Sequence, residues 1–182
     1  MPSSRDLGVL LVRVGVGATL VAHGAQKLFG WFDGPGLQAT ADGFDALGFH
    51  PGRGNAIAAG AAELGGGVLL AVGLATPVAG ATAAGTMVVA SAVHGPNGFF
   101  AQKGGFEYSA ILGLTAVAVG LAGPGRVSLD HLTGDVFNRP WMKVLALGAI
   151  APASMFIIAQ RRKALGAAAV PTPAETPSST DA

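Results

Sequence analysis

His23, Lys27 and Glu63 are the residues with which this chain could do chemistry. They are a base, a cation and a carboxylate set inside apolar runs, where ionisable groups are costly and mark a site by default. His23, Gln26 and Lys27 occupy the last turn and a half of the run Leu7 to Leu28, LGVLLVRVGVGATLVAHGAQKL. Glu63 is the single charge in a second run, Ala56 to Leu74. Imidazole and carboxylate can pass protons, and an ammonium or phenol can hydrogen-bond a ligand's carbonyl. The expected division of labour follows: proton transfer by His23 and Glu63, and ligand binding by Gln26, Lys27, His94, Glu107 and Tyr108.

The elements that must position these groups are membrane helices. The chain has 182 residues, 51% hydrophobic and only 12% charged, against about 25% charged in a soluble domain. Its mean hydropathy is +0.53. A net charge of +1 provides no basic stripe to neutralise phosphates, so nucleic acid is excluded as a partner. With no cysteine, disulfides, thiolate metal sites and thiol relays are excluded within the chain. The 29 glycines sit inside apolar runs, as expected of residues that let membrane helices approach closely.

Read in order, Ser3, Ser4 or Asp6 can cap the first helix. The run from Leu7 is long enough to span a bilayer. It reads as a retained helix, because Arg13 interrupts it and no clear cleavage site follows. Between Phe29 and Asn55, Leu37, Ala41, Phe44 and Leu47 recur at helical spacing, which fits either a short surface helix or an ordered loop. The second span, Ala56 to Leu74, stops at Thr76–Pro77. The third, Val78 to Val93, carries small-residue pairs Gly80/Ala84 and Ala81/Gly85. After a polar connection, Glu107 to Leu121 is a short fourth span ending at Gly123-Pro124-Gly125. A fifth run, Trp141 to Ala159, contains Pro152, which predicts a kink. Arg161-Arg162-Lys163 then favours a cytoplasmic C-terminus by the positive-inside rule. The expected organisation is an all-α membrane protein: a four-helix transmembrane core over 1–130, a connection and fifth transmembrane helix over 131–163, and a disordered tail over 164–182.

Depth decides which groups can meet. His23 lies about 24 Å along its helix from Leu7, and Glu63 about 10 Å in from the opposite end of its own, so antiparallel neighbours bring them level. The first pairing expected is therefore His23–Glu63. Arg13 lies about 9 Å from the other face, and its expected counter-ion is Asp130, with Asp6 the other acidic candidate. Two histidines, His23 and His94, could ligate a b-type haem, and zinc through His23, His94 and Glu63 is conceivable; both are thinly based, and no metal site is expected. No glycine-rich phosphate motif follows a strand.

These pieces resemble the DoxX family of small bacterial membrane proteins. The matching stretches are Arg13 with His23-Gly24-Ala25-Gln26-Lys27-Leu28-Phe29-Gly30, Gly43-Phe44 leading to Leu47-Gly48-Phe49-His50-Pro51, and Glu63. Gly73-Leu74-Ala75-Thr76-Pro77, Gly105-Phe106-Glu107-Tyr108 and Gly123-Pro124-Gly125-Arg126-Val127-Ser128-Leu129-Asp130 complete the set. The resemblance implies a four-helix core in the cell inner membrane and a role in a membrane redox complex. Some family members resemble subunits of thiosulfate:quinone oxidoreductase, and others act with superoxide dismutase and a thiosulfate sulfurtransferase. The function expected is an integral membrane subunit of a redox-associated complex, binding a quinone or a small sulfur-containing substrate, with the lipid bilayer and redox proteins as partners. The alternative is a non-enzymatic scaffold or small-solute permeation protein. The fifth run, the tail and Asp33 depart from the family pattern.

Overall fold

The computed structural model describes residues 1–168, and the described residues form helices joined by short turns, without strands. Helix α1 (Ser4–Phe29) starts at a reciprocal cap: Asp6 N–H donates to the Ser3 hydroxyl, and Ser3 N–H and Oγ–H donate to the Asp6 carboxylate. It ends at Gly30 with φ 72°. The amphipathic spacing around Ala41 forms a true helix, α2 (Gly36–Ala46), which buries Thr40 and Ala41. Helices α3 (Gly52–Val72), α4 (Thr76–His94) and α5 (Glu107–Ala122) complete the core. α1, α3 and α4 are long and apolar enough to cross a membrane, whereas α5 is shorter.

Glycine sets how closely these helices approach. A Cβ on Gly17 or Gly24 of α1 would come within 2.7 Å of the carbonyl of Gly67 or Gly60 on α3, so the two backbones are in direct contact. α4 and α5 touch the same way, with Gly80 against the Ala116 carbonyl. Lipid offers no water-exclusion force between helices, so this close packing is what holds the bundle. Leu20, Leu70, Ala83, Met87 and Ala116 fill its centre.

At the end of the bundle where α1 begins, the loop before the one-turn helix α6 (Leu129–Leu132) ties the core together. Asp130 is fully buried and accepts from the backbone N–H of Ala75 (2.8 Å) and Thr76 (3.0 Å) and from the Thr76 hydroxyl (2.8 Å). It thus caps α4, which has no side-chain cap of its own. This corrects the expected Arg13–Asp130 ion pair: among the described residues no such bridge forms. The carboxylate is already satisfied by the positive end of α4. Arg13, also buried, donates from Nη2 to the Val127 carbonyl at 2.6 Å. Its Nε and Nη1 have no partner, and the guanidinium lies against Gly73, where no side chain could fit. Asp6 joins the same knot by accepting from Arg126 N–H at 2.9 Å.

The fifth span is two helices, α7 (Pro140–Gly148) and α8 (Ile150–Ala168), broken at Ala149. The break falls three residues before Pro152 because that residue has no N–H to give the Gly148 carbonyl, and its ring crowds it. The pair runs along α4, anchored at one end by Lys143 Nζ donating to the Leu121 carbonyl at 3.0 Å. At the other end Arg161 Nε donates to the Leu47 carbonyl at 2.9 Å, and its guanidinium lies over the Phe49 ring. The tail expected from 164 therefore starts as helix: residues through Ala168 continue α8, where Leu165 packs on Gly48. The remainder of that expected tail lies outside the described residues. The architecture is an all-α membrane bundle with an accessory helix pair.

Candidate functional site

The glycine contacts between α1 and α3 bring Lys27 and Glu63 together near the α2 end of the bundle. Lys27 Nζ donates to Glu63 Oε2 at 2.6 Å, with side chains 24% and 7% exposed. The expected partner of Glu63 was His23. The structure instead pairs His23 Nε2 with the Tyr108 hydroxyl at 3.0 Å, the rings 5.7 Å apart. Lys27 wins the carboxylate because it sits one turn further along the same face of α1. Its ammonium also makes a charge-assisted bond to the carboxylate. The result is a polar strip contributed by α1, α3 and α5: Lys27 with Glu63, and one turn away His23 with Tyr108.

The other expected ligand residues hold loops. Gln26 Nε2 donates to the Phe32 carbonyl at 3.3 Å, and Gly34 packs on its stem. Glu107 accepts from Ala101 N–H at 3.0 Å, and His94 Nδ1 is 3.0 Å from the Gly104 carbonyl oxygen. His23 and His94 therefore take different hydrogen-bond partners.

Reading the sequence missed the cavity beside this strip. A groove of about 820 Å³ runs along α4, with α3 on one side and α7–α8 on the other. Lys27, Glu63, Asn55 and His94 line its polar end, and the rest of its lining is almost wholly aliphatic or aromatic. His23 and Tyr108 are not part of the lining, so the Lys27–Glu63 pair stands between the groove and the imidazole–phenol pair. The small residues Ala58, Ala59, Ala62, Ala81 and Gly85 leave the space. In the sequence they were the available signal, but a stripe of small residues serves packing and cavities alike.

The DoxX family model matches residues 8–96. Over 130 residues, 71% of this chain and 90% of the relative, the chain is 32% identical to "Putative oxidoreductase CatD" of Bacillus subtilis (strain 168). The chain belongs to the DoxX family. It is a multi-pass membrane protein. The DoxX match holds α1 to α4 and with them His23, Gln26, Lys27, Glu63 and His94; Glu107, Tyr108 and the α7–α8 wall lie beyond it. No solved structure matches the chain significantly.

Proposed function

We propose that this DoxX protein is an inner-membrane subunit of a redox-associated complex, with a ligand site at the Lys27–Glu63 pair. The ligand is a quinone or a small sulfur-containing substrate. The observation that carries the reading is an ion pair, its carboxylate buried and its ammonium half-buried, forming the polar end of an otherwise apolar cavity. A few convergent polar groups in a mostly apolar pocket are the usual form of a small-molecule site. Lys27 supplies a donor to a carbonyl or oxyanion oxygen, and Glu63 an acceptor for a ligand hydroxyl or its proton. His23 and Tyr108 stand beside them as the next proton-carrying groups. The Bacillus relative's oxidoreductase name supports the redox setting. The electron carrier belongs to a partner or is bound non-covalently, because the chain has no cysteine and no nucleotide motif. The basic run Arg161-Arg162-Lys163 and the exposed Arg53 and Lys103 share the α2 end, which supports a cytoplasmic C-terminus.

A lipid extract and absorbance spectrum of protein purified from its own membrane test this. Near-stoichiometric quinone, lost in the Glu63→Gln variant, is the expected result. Ligand-free protein whose Glu63→Gln variant assembles normally and leaves redox function intact would sink the reading. One observation favours the scaffold alternative: Gln26, His94 and Glu107 fasten loops and are not free for a ligand.

A further inference from the structure

We infer that the ligand of this site is a long-tailed amphiphile, a quinone-class ring carrying an apolar chain, which enters sideways from the bilayer with its tail in the groove between α3 and α7–α8. This rests on the reading of Lys27–Glu63 as the headgroup site and narrows it: a small water-soluble sulfur compound has no use for what the groove offers.

Length and lining make the argument. The groove touches α4 from Val78 to His94, a rise of about 24 Å along the helix. Only one end is polar. A ligand confined to the Lys27–Glu63 end would leave most of the 820 Å³ unused. A tail lying along Ala81, Thr82, Gly85, Leu145 and Ile150 would fill it. The walls also dictate the route. α3 and α7–α8 flank α4 without packing along each other, so the groove is open on the side away from α4, toward lipid. Phe44, Leu47 and Phe49 line part of its polar end, where Arg161 and Leu165 fasten the α2–α3 turn to α8. Water can reach the groove only at that polar end, whereas the acyl region borders its whole open side. A tail already dissolved in lipid gains no water exclusion on entering the groove, only packing and orientation, so the expected advantage is moderate.

The test compares two probes on the full chain in lipid nanodiscs: a naphthoquinone with a polyprenyl tail and the same ring without one. Binding is read by co-purification and by quenching of Trp141, which lines the groove. The tailed probe should bind about tenfold more tightly, which is about 1.4 kcal/mol. Thr82→Phe, which obstructs the middle of the groove, should remove that advantage and leave the tail-less ring unaffected. Val88→Phe, at a position on the exposed face of the same helix, should change neither and controls for folding. Thiosulfate should displace neither probe. Equal binding of the two probes, or equal effects of the two phenylalanines, overturns the tail channel and leaves the headgroup site standing. If neither ring binds the unaltered protein, or if thiosulfate displaces them, the ring-headgroup reading fails and the inference with it.

Discussion

At the scale of single residues, the Lys27–Glu63 bridge, with its carboxylate buried, is a liability as much as a contact. Removing one partner strands a charge in a low-dielectric interior, and that costs more than the bridge itself contributes. Lys27→Met should therefore lower stability by about 3 kcal/mol, read as an earlier midpoint in a detergent-unfolding titration. The double variant Lys27→Met with Glu63→Leu should recover most of that loss. A double variant no better than the single would mean that the carboxylate is not the group left stranded. Gly73 makes a second prediction. Its φ is +67° and the space where a side chain would go is filled by the Arg13 guanidinium, so Gly73→Ala should cost at least about 1–3 kcal/mol. Gly8→Ala, with nothing within 4 Å of the added carbon, should be neutral or slightly stabilising in the same assay. These residue-scale details were only partly legible in the sequence. Rise per residue placed His23 and Glu63 at one depth, but it does not separate His23 from Lys27, which lie on one face a turn apart. Only the contact itself shows that the ammonium takes the carboxylate. Arg13 likewise announced a need for a partner, and the partner proved to be a loop carbonyl, a group present at every position and so invisible to residue type.

Among the elements, α4 depends on a cap from a distant loop. Ala75 has φ 47° and lacks a capping side chain, and Asp130 supplies three acceptor contacts from fifty-five residues away. Asp130→Ala should destabilise the bundle by about 2 kcal/mol or more, since it removes the cap and leaves buried donors unpaired. Hydrogen exchange should show the opening concentrated at the first turn of α4; uniform loss across all helices would contradict the capping role. The five apolar spans and the Pro152 disruption were legible, because hydrophobic runs and proline chemistry act locally. The stop expected at Thr76–Pro77 falls instead at Gly73, whose φ of 67° ends α3, while Thr76 and Pro77 open α4. The groove was not. It depends on α7–α8 standing off from α3 while touching α4, a lateral arrangement that no single helix encodes.

For the whole molecule, the core and the accessory pair are separable in energy. α7–α8 has only 6% of its apolar window buried, and it meets the core mainly along α4. A chain ending after α6 should therefore still insert and fold, with α1, α3, α4 and α5 protected from exchange as in the full protein. It should lose any ligand that co-purifies with the full chain, because one wall of the groove is gone. A truncated chain that fails to fold would show that the pair is part of the core and not a wall added to it.

The loop that ties the core also bears on how the protein is made. Arg13 precedes its acceptor, Val127, by 114 positions, so the ribosome delivers the guanidinium long before the carbonyl that receives it. Until then the nascent first helix must either linger at the translocon or tip its arginine toward lipid headgroups. Final locking of the bundle waits for the last turn of the core to emerge. Chains interrupted upstream of that loop would hold an unmet cation in the membrane, a natural mark for quality-control proteolysis.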